Sequence, residues 1–182
     1  MNQSDDNLIW VDCEFTGLDF GRNRIVEIAV VVTDSDLNVL GEPVELVVGY
    51  SQQELDDLLE EWPRNHFEQS GLMQQIIESD VTMEQAQQQI LDYVSRHCSE
   101  GMCPLAGNSV GQDRRVLYTN MPELESFLHY RTVDVSTIKE LARRWKPEVL
   151  EQIQKKESHR ALGDILESIE ELKVYRKSFI FT

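Results

Sequence analysis

The chain has 182 residues, 41% of them hydrophobic and 27% charged, with a formal net charge of −16. That composition excludes a disordered or fibrous chain, and no apolar run approaches the roughly 18 residues of a spanning helix. The charge excludes a basic face that wraps long nucleic acid by neutralising phosphates, and leaves either no nucleic-acid contact or a short, metal-mediated one.

The length suits one domain over residues 1–182, with no repeat or linker to divide it. The polar, acidic start MNQSDDN carries neither a secretory nor a transit signal, so a cytoplasmic protein is expected. Three cysteines, Cys13, Cys98 and Cys103, lack the spacing of a zinc site or a disulfide framework.

Residues 8–14 (LIWVDCE) predict a first strand, residues 25–33 a second that is buried on both faces, and residues 44–50 a third. Residues 52–79 are mostly helical, with interruptions expected near Pro63 and Gly71. Thr82 and Gln85 form a capping box for a further helix. A short strand at 103–106 leads through Gly107, Asn108 and Ser109 into a helix carrying Val116 and Leu117. Another strand at 132–135 precedes a helix for which Ser136 is the expected cap, and a last helix runs near 158–177. Three consecutive strands followed by alternation imply an α/β fold with a mixed sheet, because hairpins make antiparallel neighbours and helical crossovers make parallel ones.

Asp12 and Glu14 are two apart on the first strand, so their side chains leave one face. Adjacent anions at the edge of a core repel unless a cation lies between them; the plain alternative is a strand that ends in solvent. Alone, Asp113 also fits a dipole-stabilising residue near a helix start, Asp164 a solvated helix face, and His159 an ordinary surface histidine. Together the four acids offset two divalent ions, and their oxygens suit Mg²⁺ or Mn²⁺ better than zinc. A histidine beside them has the pKa to accept a proton from an attacking water.

The ordered set D-x-E, D and H-x-x-x-x-D resembles the DEDDh exonucleases, whose fold is an RNase H-like mixed five-stranded sheet flanked by helices. The segments LIWVDCEFTGLD, GNSVGQDRR, HYRTVDVSTIKELARRW and SHRALGDILESIEELKVYR are similar to the oligoribonuclease family across nearly the whole chain. The resemblance implies two metal ions held by Asp12, Glu14, Asp113 and Asp164, with His159 as general base. It also implies 3′-to-5′ release of 5′-mononucleotides from short RNA, chiefly dinucleotides, by a homodimer. Leu18 then matches an apolar wedge beside one base and Trp62 an aromatic platform under the other, while a core Leu is the plain alternative at 18. Ser109, Arg131, Ser136 and Thr137 resemble a cap over the substrate's 5′ phosphate, with His66 close by and Tyr130 reaching the other subunit's site. A closed cap acts as a ruler, and a dinucleotide needs no basic surface, which accommodates the −16 charge.

The chain departs from the family pattern at Cys13, Phe15, Phe20-Gly21 and Gly163, none of them an expected metal ligand. Lys139, Arg143, Arg144 and Lys146 form a basic cluster that suits either a solvated face or a contact with substrate or partner. Rival functions are a DNA-directed proofreading exonuclease, a non-catalytic module on the same scaffold, and an acidic ion-binding protein without hydrolysis.

Overall fold

A computed structural model describes residues 3–19, 21–153 and 160–180. Its five strands are β1 (Leu8–Phe15), β2 (Ile25–Thr33), β3 (Val39–Val47), β4 (Pro104–Gly107) and β5 (His129–Asp134). They form one sheet in the order β3-β2-β1-β4-β5. β1 pairs antiparallel with β2, and β2 antiparallel with β3, whereas β1–β4 and β4–β5 are parallel. The mixed sheet expected from the order of strands is present.

Eight α-helices surround it among the described residues: α1 (Gln52–Leu58), α2 (Glu61–Ser70), α3 (Leu72–Glu78), α4 (Met83–Val94), α5 (Gly111–Asn120), α6 (Pro122–Phe127), α7 (Val135–Trp145) and α8 (Ala161–Tyr175). A short 3₁₀ turn covers Pro147–Gln152, and a π turn at Arg176–Ile180 follows α8. None of these helices is long and apolar enough to cross a membrane.

Alternation along β1 decides which face meets which helices. Ile9, Val11 and Cys13 enter a core shared with α4 and α5, through Ile90, Val94, Val116 and Leu117. Trp10 points the other way, into a core with Ala142 of α7 and Ile165, Ile169 and Leu172 of α8. A fully buried aliphatic side chain is worth about 1.5–3 kcal/mol, so each layer is held by many such contributions. Trp10 also donates its indole N–H to Thr33 Oγ1 at 2.9 Å. Every residue of β2 is buried, as expected of a strand covered on both faces. Asp12 and Glu14 share the Trp10 face, so the same alternation that builds the core aims them at α8.

Several boundaries differ from expectation, each for a physical reason. β3 begins at Val39 rather than Val44, although Gly41 and Pro43 lie within it. It is an edge strand, where a missing N–H is tolerated, and its register with β2 shifts between Val30 and Val32 while Gly41 takes φ +72°. Pro63 does not interrupt a helix: it sits in the first turn of α2, where its missing N–H costs nothing, and the break falls at Leu59 and Glu60. Gly71 does end α2, in the left-handed conformation. The Thr82–Gln85 capping box is present in full. Ser136 is not the cap of α7; Asp134 is, its side chain accepting the Ser136 N–H. Helix α6, started by Pro122, had no counterpart among the expected elements.

Candidate active site

β1 delivers Asp12 and Glu14 where the strand leaves its ladder, at a register shift between Glu14 and Phe15. Bulges of this kind redirect side chains next to functional sites. α8 supplies Asp164 from its first turn, where the positive end of the helix favours an anion. One carboxylate oxygen from each of Asp12, Glu14 and Asp164 lies within 4.8 Å of the other two.

Such crowding opposes ionisation. Burial, then Asp164 and Glu27, push the Asp12 carboxyl up to about 7. Burial, then Asp12, Glu27 and Asp164, push Glu14 up to about 8, with Arg160 acting in the opposite sense. A half-buried, mutually repelling trio of oxygen donors fits a hard divalent cation: charge, donor type and proximity all agree.

Asp113 is placed differently. It lies in the first turn of α5 and is buried, with Oδ1 accepting the Cys13 N–H at 3.0 Å. Burial and then the Asp12 charge hold its carboxyl well above the usual range. Asp113 thus neighbours the trio from the opposite layer while bracing the backbone between Asp12 and Glu14. His159 lies outside the described residues.

Glu27 was not anticipated. It faces Glu14 across the β1–β2 ladder and is fully buried. Its Oε1 accepts from Arg160 Nε at 2.9 Å and Nη2 at 2.5 Å. Arg160 also reaches Gln75 Oε1 at 3.1 Å, so one guanidinium ties β2 and α3 to the residue that precedes α8. The clue in the sequence was a lone acid inside IVEIAVVVT, where a buried charge demands a partner.

Leu18 and Trp62 stand 66% and 71% exposed. They line one cavity of about 330 Å³ together with Glu14, Gly17, Glu60 and Pro63. The plain alternative of a core Leu at position 18 is therefore set aside. Glu60 joins the two walls: its Oε1 accepts the Leu18 N–H at 2.9 Å, and its own N–H reaches Thr16 O at 2.9 Å. A Cβ on Gly17 would lie 2.2 Å from Glu60 Oε1, so glycine is what permits this approach. His66 stacks on Trp62 with centroids 5.2 Å apart and an interplanar angle of 8°.

Ser109 and Ser136 also come together, their hydroxyl oxygens 3.1 Å apart. Ser109 adopts φ +54°, a left-handed conformation uncommon for serine, and its N–H is shared by Asp134 Oδ1 and Ser136 Oγ, each at 3.0 Å. Asp134 takes the Ser136 N–H as well, at 2.9 Å. The N–H groups of Ser109 and Ser136 are therefore engaged within the protein. Exposed Thr137 follows in a depression of about 410 Å³ shared with Ser136 and Arg144.

Tyr130 and Arg131 are exposed on β5, with the guanidinium 5.3 Å from the tyrosine centroid. Tyr130 belongs to a different groove of about 750 Å³, lined also by Arg114, Arg115 and Tyr118. The basic cluster on α7 is partly balanced locally: Arg143 and Arg144 both pair with Glu140, and Lys139 Nζ lies 3.6 Å from Glu171.

The sheet order and the acidic trio define an exonuclease, and the family model described as exonuclease matches residues 9–172. The fold is also similar to a solved exonuclease I from Methylocaldum szegediense, with TM-score 0.73 and 23% identity; the match covers 96% of this chain and 41% of that one. This chain thus spans about two fifths of that larger protein, and the likeness concerns the fold. More specifically, the chain is 50% identical over 178 residues to the oligoribonuclease of Vibrio campbellii, covering 98% of each. It is 50% identical over 182 residues to that of Photobacterium profundum, covering 100% of this chain and 99% of the other. The chain belongs to the oligoribonuclease family of 3′-to-5′ exoribonucleases.

Proposed function

We propose that this oligoribonuclease acts chiefly on dinucleotides, which it hydrolyses to 5′-mononucleotides. The observation that carries the reading is the cavity that places Glu14 of the acidic trio beside both Leu18 and Trp62. An aromatic face and an apolar wedge lining one cavity suit two bases, and stacking on such a platform is worth about 1–3 kcal/mol per base.

Asp12, Glu14 and Asp164, with Asp113 adjoining, would hold two divalent ions, Mg²⁺ or Mn²⁺. Bound there, such ions polarise a phosphodiester and favour formation of the attacking hydroxide. The remaining tasks fall to the chain's own groups. Trp62 and Leu18 orient the bases, and His66 supports the Trp62 ring. His159 accepts the proton from the attacking water, and Glu27 with Arg160 fixes the backbone immediately after it. Ser109, Thr137 and Arg131 receive the 5′ phosphate, with Ser136 holding Ser109 beside them, and so set the length of substrate that fits. Exposed Tyr130 and Tyr118 support a homodimer in which Tyr130 serves the second subunit's site.

The decisive measurement compares a 5′-phosphorylated diribonucleotide with a ten-mer in the presence of Mn²⁺. Mononucleotide release is expected to be at least about tenfold faster from the dinucleotide, the discrimination that about 1.4 kcal/mol supplies. Equal rates would refute the length reading, and no release with any divalent ion would refute the catalytic assignment.

Gly17→Ala tests the cavity separately. The added methyl drives Glu60 away and shifts the Leu18 wall, so KM for the dinucleotide should rise by about tenfold, as displacement of a positioning group does. An unchanged KM would remove Leu18 from substrate binding.

A further inference from the structure

We infer that Asn108 is a positioning residue that fixes the Ser109–Ser136 receptor relative to the helix carrying Asp164. The inference rests on the reading of those serines as the 5′-phosphate receptor, and adds what holds them at a set distance from the acidic trio.

The argument is one of proton direction. A serine hydroxyl has a single proton to donate, and a side-chain amide donates on one side and accepts on the other. Ser168 Oγ donates to the Asp164 carbonyl at 2.8 Å, so its proton is spent there. The contact of 2.7 Å between Ser168 Oγ and Asn108 must then be a donation from Asn108 Nδ2. The same nitrogen lies 3.5 Å from Glu171 Oε2, an oxygen that accepts, which fixes the amide orientation a second time. Asn108 Oδ1 is therefore turned toward α7, where it accepts the Ser136 hydroxyl proton at 3.0 Å. Ser136, its proton committed, accepts the Ser109 N–H.

A continuous series of hydrogen bonds thus runs in one sense from Ser109 through Ser136, Asn108 and Ser168 to the backbone of Asp164. Two properties follow. The Ser136 proton is directed at Asn108, so the 3.1 Å contact between the two hydroxyls is a donation from Ser109, and Ser109 is the one whose proton can turn from Ser136 to a phosphate oxygen. Its left-handed backbone is the strained element the series holds in place. The second property is spatial. Asn108 links Ser136 in the first turn of α7 to Ser168, one turn beyond Asp164 on α8, with one rigid planar group, and so sets the distance between the terminal-phosphate receptor and Asp164. Glu171 backs the arrangement: it is buried, accepts from Tyr175 OH at 2.8 Å and faces Lys139. A carboxylate at position 108 would therefore meet it badly.

The readout is the ratio of kcat/KM for a 5′-phosphorylated diribonucleotide to that for the same dinucleotide lacking the phosphate. Wild type is expected to favour the phosphorylated form. Asn108→Ala should lower that ratio by about tenfold or more, the effect of freeing a buried hydrogen-bonded group. Ser168→Ala, which cuts the series on the α8 side only, should lower it in the same direction and decides the matter if Asn108→Ala fails to fold. Variants that slow both substrates equally, or leave the ratio at the wild-type value, would overturn the positioning role while the receptor reading stands. A wild-type ratio of one would overturn the receptor reading and the inference with it.

Discussion

Asp12→Asn should abolish turnover and, at the same time, stabilise the metal-free protein. The substitution keeps the shape of the side chain and removes one of three crowded charges. Loss of a metal-binding carboxylate is expected to cost about 4 kcal/mol of transition-state stabilisation, on the order of a thousandfold in rate. In EDTA at pH 8 the same change relieves repulsion inside a half-buried cluster, and Tm should rise by about 3 °C, the shift that roughly 1 kcal/mol produces in a chain of this length. Titration with Mn²⁺ should raise the wild-type Tm and leave the variant little changed. Thermal melts and mononucleotide release measured on one preparation check both halves. A variant that is inactive and also less stable in EDTA would mean that Asp12 serves the fold rather than a cation.

The pH dependence of the metal-free enzyme should run opposite to that of an ordinary acid-sensitive protein. Asp12 and Glu14 are raised from 3.8 and 4.5 to about 7 and about 8. Between those limits the folded chain holds protons that the unfolded chain has released, so stability falls as pH rises. Their contribution is fully present below about pH 4 and is lost as pH climbs through about 7 to 8. In EDTA, Tm should drop by several degrees from pH 5 to pH 8, about 2–4 °C for each kcal/mol. Divalent cations displace those protons, so stabilisation by Mn²⁺ should grow over the same interval. Asp12→Asn provides the comparison, because general repulsion in a chain of charge −16 affects both proteins. Parallel Tm–pH curves for the two would show that the trio does not titrate as described.

Much of this site was legible because strand and helix periods are rigid rules. The two-residue spacing of Asp12 and Glu14 fixed a common face, and the apolar residues before them identified the strand. What escaped depended on partners distant in sequence. Glu27 is a lone acid in an apolar strand, and its partner, Arg160, lies 133 residues away. Serine favours the cap position, which points to Ser136, but the Asp134 carboxylate two residues earlier accepts the N–H instead. The early start of β3 was hidden by Gly41 and Pro43, which break a central strand but not an edge one. Asn108 passed as loop chemistry, since nothing local announces that its amide spans two helices.

The placement of Asp164 on the final helix has a consequence for folding order. β1, β2 and β3 are joined by short connections, and such local contacts form early because closing small loops costs little entropy. α8 packs against β1 and β2 from the far end of the chain, a contact with a large closure penalty. Assembly of the acidic trio therefore depends on a contact with a large closure penalty, the same contact that seals the Trp10 layer of the core. Without that contact β1 offers only Asp12 and Glu14, so the complete trio and the closed core depend on the same packing.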